Sequence, residues 1–163
     1  MIMKGHPKVI ENLNSGLASE LTAVHQYWLH QYLLREWGYF HLEKKWEHER
    51  EEEQGHASRL MERILFLEGM PNVQDLLKVR IGKTIGEILE NDLAAELEAR
   101  ALYQEAAFHA NSVKDYPSRD LFEDLMADEE GHIDFLEKQL RLIKHVGEKE
   151  YLQKQMGHIS ASS

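Results

Sequence analysis

The sequence predicts an all-α protein, an antiparallel four-helix bundle with a long crossover between helices two and three and a short C-terminal fifth helix. Apolar residues recur at helical spacing over long stretches, and only 3 Pro and 10 Gly interrupt 163 residues. No stretch shows the alternation of polar and β-branched residues that is typical of a strand. In addition, the second half of the chain repeats a pattern of the first half, which favours two similar helical hairpins.

The repeat is most distinct in a Glu-x-x-His motif, which occurs at Glu53 and His56 and again at Glu129 and His132. Residues three apart lie on one face of a helix, so each copy presents a carboxylate and an imidazole in the same direction. The offset from Glu53 to Glu129 is 76 positions. Four further pairs share it: Glu20 with Glu96, Tyr27 with Tyr103, Gly55 with Gly131, and Leu60 with Leu136. We therefore expect hairpins related by a pseudo-two-fold axis.

The first helix is expected from Pro7, a residue that favours the first helical turn, to about Glu36. Glu20 lies within its apolar stripe, and an ionised carboxylate buried there is costly unless it is paired or bound to a metal. The stripe is formed by Leu13, Leu17, Val24 and Tyr27. Glu20 is therefore a candidate metal ligand.

Gly38 separates this helix from a second one, expected from about Leu42 to Glu68 and ended by Gly69. Three successive polar residues interrupt its inward stripe and need partners in the core. The stripe is Trp46, Glu49, Glu53, His56, Leu60, Ile64 and Leu67. Residues 70–83 lack helical periodicity, and we expect them to form a connection that travels the full length of the bundle.

The third helix is expected to begin after Thr84, an N-cap with Glu87 completing a capping box, and to continue to about Val113. Its inward face carries Ile85, Leu89, Ala99 and Tyr103. Two acidic residues compete for the ligand position on this face, Asp92 and Glu96. The repeat offset favours Glu96.

The fourth helix is expected to open at Pro117 or Ser118 and to run to about Val146. Its inward stripe is Phe122, Leu125, Glu129, His132, Leu136, Leu140 and Ile143. Residues 148–156 can form a short fifth helix. Residues 158–163 are small and polar, and we expect a disordered tail there.

Composition limits the possible functions. We expect residues 1–157 to form a single domain, soluble and cytoplasmic, because neither a membrane-spanning apolar run nor a secretory start is present. The absence of Cys excludes thiolate metal sites and disulfides. A net charge of −10, without a run of Lys or Arg, argues against a nucleic-acid partner. Acidity favours the attraction of cations, although its ordinary effect is solubility.

The two hairpins together would bring four carboxylates and two imidazoles to one place, enough for a two-metal site. Two divalent cations would balance the four negative charges, and these ligand types suit iron(II), manganese or zinc. The di-iron carboxylate pattern consists of one Glu from each of two helices and a Glu-x-x-His motif from each of the other two. We expect Glu53 and Glu129 to bridge the metals. The terminal ligands would be Glu20 and Glu96, and each metal would also take one histidine, His56 or His132.

Four stretches closely resemble bacterioferritin: residues 19–23, 63–72, 91–97 and 128–134. The likeness extends from about Met3 to Met156. It implies a ferritin-like bundle assembled as a hollow shell of 24 subunits that stores ferric mineral. It also implies a ferroxidase centre in each subunit, which oxidises iron(II) with dioxygen or hydrogen peroxide. The positions of the family's ferroxidase ligands all match: Glu20, Glu53, His56, Glu96, Glu129 and His132.

The resemblance has one large departure. Bacterioferritins bind haem between subunits through a Met from each, and Gln54 stands at that position. An amide is a poor axial ligand, so we expect haem to bind weakly, not at all, or only in shells shared with a Met-bearing subunit. The family also associates the position of His48 with iron on the inner surface of the shell. Tyr27 occupies the position of a family tyrosine beside the centre. There it can hydrogen-bond to a metal ligand, give up an electron, or simply fill the interior of the bundle.

Three alternatives remain open. The inward polar groups can form a metal-free hydrogen-bonded network. The bundle can instead be a di-iron oxidoreductase acting on peroxide or an organic substrate, although the absence of Cys removes a rubredoxin-like electron-transfer module. The third is the small DNA-protecting ferritin relative, whose iron site lies between subunits. The complete ligand set within one chain and the lack of a basic tail count against it.

Overall fold

A computed structural model describes residues 5–157, which form five helices and no strand. The helices are α1 (Pro7–Glu36), α2 (Phe40–Phe66), α3 (Ile85–Ser112), α4 (Tyr116–Val146) and α5 (Glu148–Gln155). This confirms the predicted all-α bundle with its short fifth helix. The predicted tail at 158–163 lies outside the described residues. Between residues 5 and 157, no helix combines the length and the apolar character that a bilayer span requires.

Two apolar clusters form the core, and the polar residues lie between them along all four long helices. The first cluster includes Val9, Leu13, Leu17, Leu60, Ile64, Tyr103, Phe122 and Leu125. The second includes Tyr27, Leu34, Leu42, Trp46, Ile88, Leu89, Leu136 and Tyr151. The first cluster comes before the second along α1 and α4 but after it along α2 and α3. Each hairpin is therefore antiparallel, and the chain must return along the whole bundle between α2 and α3.

That return follows residues 67–84 and is hydrogen-bonded to α1 at several points along its length. Backbone N–H groups of the crossover donate to side chains spaced four residues apart on α1: Leu77 to Thr22 (2.8 Å), Arg80 to Gln26 (2.9 Å) and Gly82 to His30 (2.9 Å). Four-residue spacing places Thr22, Gln26 and His30 on one face of the helix. One face of α1 therefore satisfies backbone donors that no secondary structure would otherwise pair.

The helix ends differ from prediction in detail. The left-handed residue that ends α2 is Glu68 (φ 65°), and not Gly69. Gly69 is needed for space, because a Cβ there would lie 2.9 Å from Ile10 Cγ2. In the predicted capping box, the Glu87 carboxylate would accept from the backbone N–H of Thr84. It accepts instead from the backbone N–H of Lys83 (2.7 Å).

The fourth helix begins slightly earlier than predicted. Its N-cap is Asp115, whose Oδ1 accepts from the backbone of Ser118 (3.1 Å), so the helix opens at Tyr116. Arg63 of α2 donates to both Asp115 (2.8 Å) and Ser118 (2.9 Å). The C-terminal end of α2 is thereby tied to the start of α4.

Asp92, the rival ligand on α3, is fully buried and serves the fold instead. Its carboxylate accepts from Gln26 Nε2 (2.7 Å) and Trp46 Nε1 (2.8 Å), and it lies 3.0 Å from His30 Nδ1. Gln26 and His30 are also residues that hold the crossover. Asp92 therefore connects three helices and, through α1, fixes the crossover.

We expect Asp92→Ala to lower the free energy of unfolding by about 3 kcal/mol or more, because it leaves several buried donors without an acceptor. Denaturant unfolding at a fixed protein concentration measures the change. Asp124→Ala, which removes an exposed partner of Arg59, is the control and should cost less than about 1 kcal/mol. Equal losses in the two variants would contradict the role assigned to Asp92.

Candidate metal centre

Six buried side chains meet between the four long helices, and they are the six that the sequence predicts. Each is at most 6% exposed. α1 supplies Glu20, α2 supplies Glu53 and His56, α3 supplies Glu96, and α4 supplies Glu129 and His132. Three-residue spacing within α2 and α4 aims each Glu and His inward together.

Their ligand atoms form two overlapping groups, in each of which all atoms lie within 4.8 Å of one another. The first group is Glu20, Glu53, His56 and Glu129, and the second is Glu53, Glu96, Glu129 and His132. Glu53 and Glu129 belong to both. This arrangement fits two metal positions that share two carboxylates, which is the role predicted for these two residues.

Both imidazoles turn Nδ1 toward the carboxylates. His56 Nδ1 lies 3.3 Å from Glu129 and 3.4 Å from Glu20, and His132 Nδ1 lies 3.1 Å from Glu53 and 3.4 Å from Glu96. The two rings are nearly parallel, with centroids 6.5 Å apart. One imidazole thus stands on each side of the shared carboxylates.

Each of the six side chains has a buried polar atom without a hydrogen-bond partner. These atoms are Glu20 Oε2, Glu53 Oε1, His56 Nδ1, Glu96 Oε2, both Glu129 oxygens and His132 Nδ1. Buried polar atoms are costly unless something satisfies them, and carboxylate oxygens with imidazole nitrogens suit divalent transition metals. The donor set therefore fits two cations and argues against a self-satisfied, metal-free network.

The electrostatics of the six residues indicate the same need for positive charge. Burial, followed by the charges of Glu20 and Glu129, holds the pKa of Glu53 well above its ordinary value. Burial also acts to raise the pKa of Glu129, but the imidazoles of His132 and His56 outweigh it and the net pKa is lowered. Although burial opposes it, contact with Glu129 and Glu20 raises the pKa of His56 to about 10. The pKa shifts of Glu53 and His56 both favour the protonated form, which reduces the negative charge of the site.

Two tyrosines complete the interior of the site. Tyr27 donates to Glu96, and Tyr103 donates to Glu20, so each hydrogen bond crosses from one hairpin to the other. Burial, reinforced by neighbouring carboxylates, raises the pKa of both phenols well above the ordinary value, which keeps them as donors. Tyr27 thus bonds to a ligand residue and, as a member of the second apolar cluster, also fills the bundle. The equivalent role of Tyr103 was missed, although the repeat offset pointed to it.

Carboxylates also lie outside the imidazoles. Sequence reasoning placed Glu49 on the inward face of α2 without naming its partner, and it missed Asp128 and Glu52. His56 Nε2 lies 2.9 Å from Asp128, while His132 Nε2 lies 2.5 Å from Glu49 and 3.4 Å from Glu52. A carboxylate on the outer nitrogen fixes the tautomer that directs the other nitrogen to a metal. Asp128 is related to Glu52 by the repeat offset, which was the available signal.

A cavity of about 40 Å³ lies beside the ligands, with room for a few waters at most. It is lined by Glu53, Glu96 and Glu129 and also by crossover residues, among them Arg80. Arg80 forms a bidentate pair with Glu98 (2.6 and 2.7 Å). The cavity therefore extends from the crossover toward the six residues.

Two other predicted positions lie apart from this centre. Gln54 is exposed on α2, and its side-chain oxygen accepts from Arg50 (3.0 Å). His48 is also exposed and lies 3.8 Å from Glu52. Neither belongs to the two four-residue ligand groups.

Comparison with known proteins agrees with this geometry. Residues 10–146 match the ferritin-like domain. The chain is 53% identical to a bacterioferritin of Brucella melitensis over 149 residues, covering 91% of this chain and 92% of the relative. It is 51% identical to a bacterioferritin of Rhodobacter capsulatus over 145 residues, with 89% and 90% covered. A bacterial ferritin of Synechocystis sp. is 44% identical over 155 residues, with 94% and 99% covered.

Sharing of ligands predicts unequal effects of two substitutions on anaerobic Co(II) binding. Glu53→Ala removes a ligand from both groups and should weaken both bound ions, whereas Glu20→Ala should weaken one and leave the other close to wild type. Spectroscopic titration of the assembled protein measures both ions. If both variants lost the same number of ions, the shared position of Glu53 would be refuted.

Proposed function

Because the chain belongs to the bacterioferritin family of ferritin-like proteins, we propose that it stores iron and oxidises Fe(II) to Fe(III) at the buried six-residue centre. One observation carries the assignment to these residues. A single chain contains two carboxylate and imidazole groups joined by Glu53 and Glu129. Two Fe(II) ions, as substrate, would fit the donor set and balance its charge.

The residues would act by holding Fe(II) in a buried, negatively charged environment. Glu20 with His56 and Glu96 with His132 would each hold one ion, and the shared carboxylates would keep the pair together. Each Fe(II) supplies one electron, so two ions reduce one hydrogen peroxide with two protons to two waters. Carboxylates stabilise Fe(III) more than Fe(II) because the higher charge strengthens the Coulomb attraction.

The remaining side chains around the site would orient the ligands. Tyr27 and Tyr103 each donate to one oxygen of a terminal carboxylate, and the other oxygen of each carboxylate is buried without a hydrogen-bond partner. Asp128, hydrogen-bonded to His56 Nε2, would hold the proton of that imidazole there. The charge of Glu49 beside His132 Nε2 would favour the same tautomer, so that each Nδ1 lone pair faces the iron. None of these roles requires a side chain from another subunit.

The size of the cavity favours this function over oxidation of an organic substrate. A space of about 40 Å³ admits dioxygen, hydrogen peroxide or an ion, but no organic molecule of ordinary size. The complete ligand set in one chain likewise counts against a relative whose iron site lies between subunits. The oxidant is therefore proposed to be dioxygen or peroxide.

The family implies an oligomeric shell, and we extend this to a closed particle of 24 subunits with ferric mineral inside. Large apolar side chains on the outer face of α1 are exposed in the single chain, among them Trp28, Leu29 and Tyr32. An apolar surface of this kind is typical of subunit contacts. His48, on the exposed face of α2, remains a proposed inner-surface iron site.

Glu20→Ala and His132→Ala should each slow Fe(II) oxidation at least about ten-fold, because each removes a ligand from one iron position. The near-ultraviolet absorbance of the ferric product after rapid mixing with Fe(II) measures the rate. Both variants should elute with wild type as a particle of about 460 kDa, which is 24 copies of the 19.1 kDa chain. Unchanged oxidation rates in both variants would remove the site assignment.

For haem, we propose that a homo-oligomer binds it weakly or not at all, or that haem enters only shells shared with a Met-bearing subunit. Gln54 offers an amide where a thioether is needed, and its oxygen is occupied by Arg50. We expect Gln54→Met to give a bis-methionine absorption spectrum after haem reconstitution, while wild type does not. A bis-methionine spectrum from wild type would contradict the proposal.

A further inference from the structure

The two halves of the metal centre differ in what supports their imidazoles. Most site residues obey the repeat offset, but Lys45 and Glu49 of α2 correspond to Leu121 and Leu125 of α4. One half therefore contains a charged pair where the other contains two leucines. This is a break in the pseudo-two-fold symmetry beside the ligands themselves.

The charged pair lies behind His132. Glu49 Oε2 is 2.5 Å from His132 Nε2 in an ion pair that is not an aligned hydrogen bond, and Glu49 Oε1 is 2.7 Å from Lys45 Nζ. The Glu49 side chain is only 6% exposed. Lys45 in turn lies over the ring of Phe135, 4.6 Å from its centroid. The carboxylate behind His132 is thus buried and held from both sides.

The carboxylate behind His56 is more exposed. His56 Nε2 lies 2.9 Å from Asp128, whose side chain is 43% exposed and makes no other hydrogen bond among the described residues. Glu52 lies close to both imidazoles and therefore cannot distinguish them. The difference between the two halves rests on Glu49.

We propose that Glu49 is a positioning residue that makes the metal position of His132 and Glu96 the tighter of the two. This rests on the proposed function and deepens it. A buried carboxylate is poorly screened by solvent, so it holds the imidazole and increases its donor strength more than the exposed Asp128 does. Loss of such an outer partner typically costs 10 to 100-fold in metal affinity, which is about the difference expected between the two positions.

Unequal positions give the centre an order of filling. The first Fe(II) binds beside His132, and the second binds beside His56. One Fe(II) supplies a single electron, whereas reduction of hydrogen peroxide to two waters takes two electrons and two protons. The weaker position beside His56 therefore determines when the reaction can start.

Anaerobic Co(II) titration of the assembled protein, followed by Co(II) absorption, tests the order without any oxidation. Wild type should bind two Co(II) per chain in two separate steps. Glu49→Gln keeps the shape, and Glu49→Leu copies Leu125. Both should weaken the tighter step about 10 to 100-fold and change the weaker step by less than about three-fold.

Two further variants make the test specific. Glu51→Gln changes the same charge on an exposed part of α2 and should leave both steps unchanged. Asp128→Asn should weaken the second step alone. If wild type binds two Co(II) but Glu49→Gln shifts both steps equally or neither, the inference about Glu49 fails while the centre stands. If wild type binds no Co(II) at these residues, the proposed function fails with it.

Discussion

Mutual repulsion among four buried carboxylates is the constraint on which this structure depends. The bundle places them in a polar layer between two apolar clusters, where solvent cannot screen them. Burial raises the pKa of Glu53, and the charges of Glu20 and Glu129 raise it further. Imidazoles and phenols relieve the repulsion in part. The two apolar clusters must supply the stability that the polar layer lacks, and divalent cations would supply the missing charge.

The repeat places equivalent ligands in both halves of the chain, and the residues that break the repeat have other structural roles. Asp92 corresponds by offset to Gly16. Asp92 holds Gln26 and His30, which in turn bind the crossover. The crossover links the two hairpins and has no counterpart within either of them, so no equivalent of Asp92 is required at Gly16. At Gly16 a Cβ would lie 2.9 Å from the Tyr103 ring, so the absence of a side chain makes room for the tyrosine that bonds Glu20. Symmetry is thus kept at the ligands and abandoned where connectivity or packing differs.

Sequence reasoning located the helices within about two residues and predicted the six residues that converge, because inward polar residues on long periodic helices are unusual. It could not assign Asp92, whose partners Gln26 and Trp46 are far away in sequence and do not follow from helical periodicity. Asp128 escaped notice because it is half-exposed and lies beside the motif rather than within it. At the end of α2, Glu68 takes the left-handed conformation while Gly69 leaves space beside Ile10, and no local sequence pattern distinguishes these two roles.

The crossed tyrosine bonds couple the site to the assembly of the fold. Glu20 is held by Tyr103, and Glu96 by Tyr27, so neither hairpin alone completes its own terminal ligand. Glu53 and Glu129 also come from different hairpins and meet only when the hairpins pack. A cation bound at both shared carboxylates would therefore join the two halves of the bundle. Because binding to the native state alone stabilises it, metal binding and correct packing of the hairpins must favour one another.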